Sequence, residues 1–193
     1  MTQIMLIVGL GNPKFRYEQT RHNAGFWFID ELGRHNSLRF KFDSRFQGDS
    51  AITQIDTSSV RVLRPRTFMN QSGQSVVPMM RYFNIQPTSV LVVHDDLDLD
   101  PGVVRLKKGG GHGGHNGLRD LINHMGSRDF FRLRLGIGHP GNSDEVTDYV
   151  LHKPLPEQRL AILGAITRSV GLIDSIISGD HATVMNNLHS IEN

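Results

Sequence analysis

Apolar positions along the chain follow two rhythms, and their alternation predicts the fold class. Ile4–Val8 is an unbroken apolar run closed by Gly9, Gly11 and Pro13, the pattern of a strand buried on both faces. Phe26, Phe28, Ile29 and Leu32 then recur at helical spacing, which predicts a helix from Asn23 to about His35 with Asn23 available as its N-cap. Segments 38–43, 47–55 and 59–64 read as strands of mixed polarity. Val76, Val77, Met80 and Phe83 place a helix over Ser72–Phe83, and Val90–Val93 is a second buried strand ending at His94-Asp95-Asp96.

Val103–Lys107 is strand-like, residues 109–115 are nearly all glycine and histidine, and Asn116 or Gly117 opens a helix to about Met125. Asn116 is a candidate cap for that helix. Phe131–Ile137 is a further strand. Pro156 starts a long helix with Leu163, Ile166, Val170, Ile173 and Ile177 on one stripe, ended by Gly179, and a short helix over 182–189 follows. Strands alternating with helices predict an α/β chain: one domain over 1–193, a three-layer sandwich with a mixed, twisted central sheet flanked by helices. In such sheets ligands bind beyond the carboxyl ends of the strands. That places Gly11–His22, Met69–Asn70, His94–Asp96 and Gly109–Asn116 near one rim.

Composition narrows the function classes. No stretch approaches the roughly 20 apolar residues needed to span a bilayer, and Met1–Gly9 lacks the basic segment and cleavage site of a secretory signal. The chain has no cysteine, which excludes disulfides, thiolate nucleophiles and cysteine-ligated zinc, and agrees with a cytoplasmic location. The net charge of +2 is unevenly spread: residues 101–140 carry seven Lys/Arg against two acids, and residues 141–193 carry three against seven. A basic central third points to a polyanionic partner.

Several familiar motifs are absent, including Gly-x-Ser-x-Gly, Walker A and His-Glu-x-x-His. Gly109–Gly114 satisfies Gly-x-Gly-x-x-Gly, but the first βα turn, Gly9-Leu10-Gly11-Asn12-Pro13-Lys14, lacks the third glycine of a dinucleotide site, so no nucleotide cofactor is expected. His94, His112, His115, Asp95, Asp96 and Asp98 are metal-ligand types, yet His112-x-x-His115 lies in a glycine loop without a helical frame to fix two imidazoles. No metal is expected either.

What remains at the rim is Asn12, His22, Asn23, Asn70, Asp95 and Asn116. Singly, each has an ordinary structural explanation as a turn, cap or loop residue. Together they can form a hydrolase site. A histidine takes a proton from water near neutral pH when a carboxylate fixes its tautomer, and carboxamides supply neutral donors to a developing oxyanion. Chemistry of this kind suits an activated ester better than an amide.

Two long segments resemble the signatures of the bacterial peptidyl-tRNA hydrolase family: Tyr17-Glu-Gln-Thr20-Arg21-His22-Asn23-Ala-Gly25 with Asp30 following, and Gly111-His-Gly-Gly-His115-Asn116-Gly117-Leu118-Arg119-Asp120. Gly9–Pro13, Thr67–Gly73, His94–Asp98 and Gly136–Pro140 resemble shorter blocks of the same family, in the same order. The resemblance implies a monomeric α/β esterase that frees tRNA from peptides released during translation, without a metal. Carried over by position, His22 would activate water and Asp95 orient it. Asn12 and Asn70 would bind the peptide and the reacting carbonyl, Asn116 the peptide backbone or the water, and Tyr17 and Met69 would line the cleft. Lys107 and Lys108, with Arg132 or Arg134, would meet tRNA phosphates. Two positions depart from the family: Lys14 replaces the usual glycine after Asn-Pro, and Asp96 replaces a frequent glutamate, which leaves open how the two acids divide their roles. The competing readings are a non-catalytic RNA-binding protein on the same fold and a metal-dependent hydrolase.

Overall fold

A computed structural model describes residues 3–55 and 58–189. These residues form a mixed sheet of seven strands: β1 (Leu6–Gly9), β2 (Lys41–Asp43), β3 (Gly48–Ile55), β4 (Ser58–Pro65), β5 (Val90–Asp96), β6 (Val104–Lys108) and β7 (Phe131–Gly136), in the order β2-β3-β4-β1-β5-β7-β6. The four middle strands β4, β1, β5 and β7 run parallel, and β2, β3 and β6 are added by antiparallel pairing.

Side chains on successive residues of a strand face opposite ways, and the central strands feed two cores. Ile7, Leu91, Val93, Val62 and Leu133 pack on one face with α1 (Ala24–His35), α5 (Pro156–Val170), α6 (Ile173–Ser178) and α7 (His181–His189). Leu6, Val8, Val90, Val92 and Leu63 pack on the other with α2 (Gly73–Tyr82) and α3 (Asn116–Met125). Both faces of β1 and β5 are covered, which is why these strands read as continuous apolar runs rather than alternating ones. Phe28, fully buried in the first core, is a side chain whose truncation to alanine costs about 3–5 kcal/mol.

Three local expectations are corrected. The long C-terminal helix is two: α5 ends at Val170 and α6 begins at Ile173, across Gly171 and Leu172. Glycine costs about 1 kcal/mol relative to alanine inside a helix, and the apolar stripe conceals the break because both halves bury it in the same core. Gly179 does end α6, in a left-handed conformation at φ 91°. Asn23 is not a side-chain cap for α1; a 3-10 turn over Arg21–Asn23 leads into that helix, and the Asn23 side chain works elsewhere. Nor does Asn116 cap α3, because the His115 ring does so. A short helix, α4 (Val146–Val150), lies in a stretch too brief for periodicity to reveal.

The carboxyl ends of β1 and β5 lie side by side, with Gly9 in register with Val93. After β1 the chain continues to β2, on one side of the sheet, and after β5 to β6, on the other. This is the switch point where open parallel sheets bind ligands.

Candidate active site

A cleft of about 860 Å³ opens over these strand ends, lined by residues that include Asn12, Tyr17, His22, Met69, Asn70, Asp95, Lys107, His115, Asn116, Arg132 and Arg134. Gly25 lets the first turn of α1, and with it the preceding 3-10 turn that holds His22, lie against the sheet: a Cβ there would lie 2.5 Å from the carbonyl oxygens of both Leu10 and Val93. Asp95 arrives from the end of β5.

The two meet directly. His22 Nδ1 donates to Asp95 Oδ1 and Oδ2 at 3.0 and 2.9 Å, with both residues buried. A carboxylate only accepts, so the proton sits on Nδ1 and the neutral ring keeps its lone pair on Nε2. Burial works against the charged imidazolium, but the Asp95 charge and hydrogen bond outweigh it and raise the His22 pKa above its ordinary 6.5. Burial likewise pushes the Asp95 carboxyl up, and the two histidines beside it outweigh that, holding it well below the usual carboxylate range.

The second of these histidines is His115, which sequence reasoning weighed only as a metal ligand. Its Nε2 donates to Asp95 Oδ1 at 2.9 Å, while Nδ1 accepts from the backbone N–H of Gly117 and Leu118 at 3.1 and 3.3 Å. One ring thus caps α3 and braces the carboxylate, and it sits 5.0 Å from the His22 ring. Its position just before a helix start was the available clue. His94 lies 5.1 Å from His115 on the other side, edge to face. Its Nδ1 donates to the Asp95 carbonyl at 2.7 Å, and its buried Nε2 has no partner among the described residues. Burial, with His115 beside it, pushes its pKa down to about 4, so this ring is neutral at physiological pH.

His22, Asp95 and His115 bring metal-ligand atoms within 4.8 Å of one another. Both ring nitrogens that face Asp95 are donors to it, however, and carry hydrogens rather than lone pairs for a cation.

Asn12 is held by Asn23, whose Oδ1 accepts from the Asn12 N–H at 2.8 Å and whose Nδ2 donates to the Asn12 carbonyl at 3.0 Å. Asn12 Oδ1 in turn accepts from the Met69 N–H at 2.9 Å, which leaves its Nδ2 as a donor for the cleft. Met69 is buried beneath Gly117, where a Cβ would lie 2.5 Å from its sulfur. Asn70 and Asn116 are exposed on the cleft wall, and Asn116 Oδ1 accepts from Arg119 at 3.2 Å. Tyr17 also lines the cleft, its hydroxyl accepting from Arg16 at 2.7 Å. Lys14 is extended, at φ −86° and ψ 143°, a geometry open to any residue, and its ammonium stands 5.1 Å over the Phe68 ring. The acids divide their roles: Asp95 serves the histidines, and Asp96 accepts from Arg134 at 2.7 Å.

Comparison with known proteins identifies the setting. A sequence model of the family described as peptidyl-tRNA hydrolase matches residues 6–193. The chain belongs to this family. The peptidyl-tRNA hydrolase of Acinetobacter baylyi is 49% identical over 190 residues, covering 98% of each chain, and that of Alkalilimnicola ehrlichii is 48% identical over 188 residues, covering 97% of this chain and 95% of the relative. The crystal structure of peptidyl-tRNA hydrolase from Acinetobacter baumannii superposes with a TM-score of 0.94 at 47% identity, over 97% of this chain and 95% of that one. A purine nucleoside phosphorylase from Toxoplasma gondii, at TM-score 0.53 and 7% identity, shares the fold alone. The protein is a hydrolase of peptidyl-tRNA.

Against that activity, the predicted basic residues fall into two groups. Lys107 and Lys108 are exposed at the end of β6, Lys108 standing 3.5 Å from Asp129. Arg134 is partly exposed beside Asp96. Arg132 is only 4% exposed, and its guanidinium donates to the carbonyls of Gly110 and Gly111.

Proposed function

We propose that His22 is the general base of peptidyl-tRNA hydrolysis and that Asp95 holds it in the working tautomer. The observation that carries this reading is the paired bond from His22 Nδ1 to both Asp95 oxygens. It leaves Nε2, free of any partner among the described residues, at the cleft wall. Nε2 takes a proton from water, and the resulting hydroxide attacks the ester carbonyl that joins the peptide to the 3′ ribose oxygen. The imidazolium, stabilised by Asp95, returns that proton to the ribose oxygen as the tetrahedral adduct collapses to peptide and tRNA. The free Nδ2 of Asn12, with Asn70 and Asn116, donates to the developing oxyanion and to the peptide carbonyls. A carboxamide grip on a peptide bond also explains how free aminoacyl-tRNA, which has none, is spared.

On the same reading Tyr17 and Met69 flank the 3′ end of the tRNA, and Lys107, Lys108 and Arg134 meet its phosphates, which are the main source of affinity for nucleic acid. The basic bias of residues 101–140 supports this. The enzyme acts as a metal-independent monomer, one catalytic unit over 1–193, in the cytoplasm. Among the described residues no helix is long and apolar enough to cross a membrane. The test is release of tRNA from labelled N-acetyl-aminoacyl-tRNA in the presence of chelator, beside a free aminoacyl-tRNA control. Cleavage of the first alone supports the reading; loss of cleavage in chelator, restored by metal, contradicts it.

A further inference from the structure

Residues 109–115 form a bridge between β6 and α3 that delivers His115 to Asp95 and Asn116 to the cleft. The bridge has little packing of its own. Gly109, Gly110, Gly113 and Gly114 have positive φ, and a Cβ placed on Gly111, Gly113 or Gly114 would meet no atom within 4 Å. A segment so sparsely packed sits at the low end of local stability unless hydrogen bonds tie it down. At its entry the Gly109 N–H donates to the Phe130 carbonyl at 2.9 Å, and at its exit His115 grips Asp95 and caps α3.

In between, His112 accepts locally from the His115 N–H at 2.9 Å and the Gly114 N–H at 3.1 Å, and the ties to the sheet come from Arg132. It projects from β7, a strand paired on both sides, at the register of Val92 on β5 and Lys107 on β6. Its guanidinium stacks 4.6 Å from the Phe130 ring, and its two terminal nitrogens donate to the consecutive carbonyls of Gly110 and Gly111. No carboxylate among the described residues forms an ion pair with it, and its Nε is buried without a partner. Hydrogen bonds from a charged donor are roughly twice as strong as neutral ones, and a planar fork fixes two acceptors at once in a way an ammonium cannot.

We propose that Arg132 is a positioning residue of the hydrolytic site: it fastens the glycine bridge to the sheet and so sets where His115 and Asn116 stand. This replaces the sequence expectation that it meets tRNA phosphate directly, and it rests on the functional reading above only in treating His115 and Asn116 as parts of the site. The buried fork explains why so glycine-rich a segment can hold a side chain in register with a carboxylate on another strand.

The experiment compares the wild-type enzyme with Arg132→Lys, which keeps the charge and loses the fork, and Arg132→Met, which loses both. Amide hydrogen exchange of the free protein reports the bridge without substrate, and steady-state kinetics on N-acetyl-aminoacyl-tRNA report the site. In both variants exchange across 110–116 should quicken about tenfold or more while β1 and β5 keep their protection. The turnover number should fall about tenfold or more in both, with KM changed much less and the lysine giving no rescue. Direct binding of phosphate by Arg132 would show the opposite: higher KM at unchanged turnover, unaltered exchange, and substantial rescue by lysine. That outcome would overturn the proposal, as would equal quickening of exchange throughout the sheet. If neither wild type nor variants cleaved the substrate, the functional reading would fall, while the exchange data would still decide the role of Arg132 in the bridge.

Discussion

The Nδ1–H of His22 is shared between both carboxylate oxygens of Asp95, at 3.0 and 2.9 Å, in a setting where both side chains are nearly excluded from water. The sharing fixes the ring orientation and the tautomer together, and it makes the charge state of His22 depend on that of Asp95.

The pH dependence follows. His22 must be neutral to act, and its pKa is raised above 6.5 by Asp95 against the effect of burial. The acidic limb of kcat/KM should therefore lie above pH 6.5, as an apparent value of the coupled pair. Asp95→Asn removes the raising interaction, so the limb should move to lower pH while the plateau falls by roughly 10²–10⁴-fold. A pH–rate series on both proteins checks this; an unmoved limb would remove Asp95 from the proposed role.

His115 has two separable duties, capping α3 and bracing Asp95. His115→Ala should cost about 1 kcal/mol of stability through the lost cap. It should also raise the acidic limb, because Asp95 without that donor stabilises the His22 imidazolium more strongly. Asparagine is a good N-cap but too short for both tasks, so His115→Asn should recover the cap's share of the stability and leave the limb displaced. Denaturant melts and pH profiles of the two variants separate the duties; a limb at the wild-type position in both would confine His115 to capping.

How much of this could be read in the sequence depended on whether a residue's partners were near in the chain. Gly11–His22 and His94–Asp96 can be placed on one rim because strand ends in a parallel sheet share an edge. The pairing of His22 with Asp95 comes from the family resemblance rather than from that placement. The double use of His115 and the burial of Arg132 were not legible, because each depends on the bridge folding back across β7. Local rules give the Asn23 side chain to its own helix, whereas its partner is eleven residues earlier, in the turn after β1. The break at Gly171 was hidden for a different reason: α5 and α6 bury the same face, so the apolar stripe runs on through it.

His94 links folding to pH. It is buried with a pKa near 4, so between pH 6.5 and 4 the unfolded chain binds a proton that the folded one does not. Stability should fall on acidification through that window by at most about 1.4 kcal/mol per pH unit for this group. His22 acts the other way, since its raised pKa adds stability as the pH falls toward 6.5. Urea midpoints measured from pH 7 to 4 should decline, with a shallower slope in His94→Gln; equal slopes would exclude His94 as the source.

Lys107 lines the cleft and is exposed. Lys107→Ala should weaken binding of tRNA and lower the slope of log affinity against log salt by about 0.7–0.9 for each phosphate that the lysine neutralises. Titrations at several salt concentrations measure both. Unchanged affinity and slope would place the tRNA elsewhere.

The most direct test of the central claim is turnover of N-acetyl-aminoacyl-tRNA by His22→Ala, with tRNA binding measured on the same preparation. A base that acts only on the reacting water predicts a loss of roughly 10²–10⁴-fold in turnover with tRNA affinity nearly intact. Turnover within a few-fold of wild type, at equal affinity, would contradict the assignment of His22 as the base.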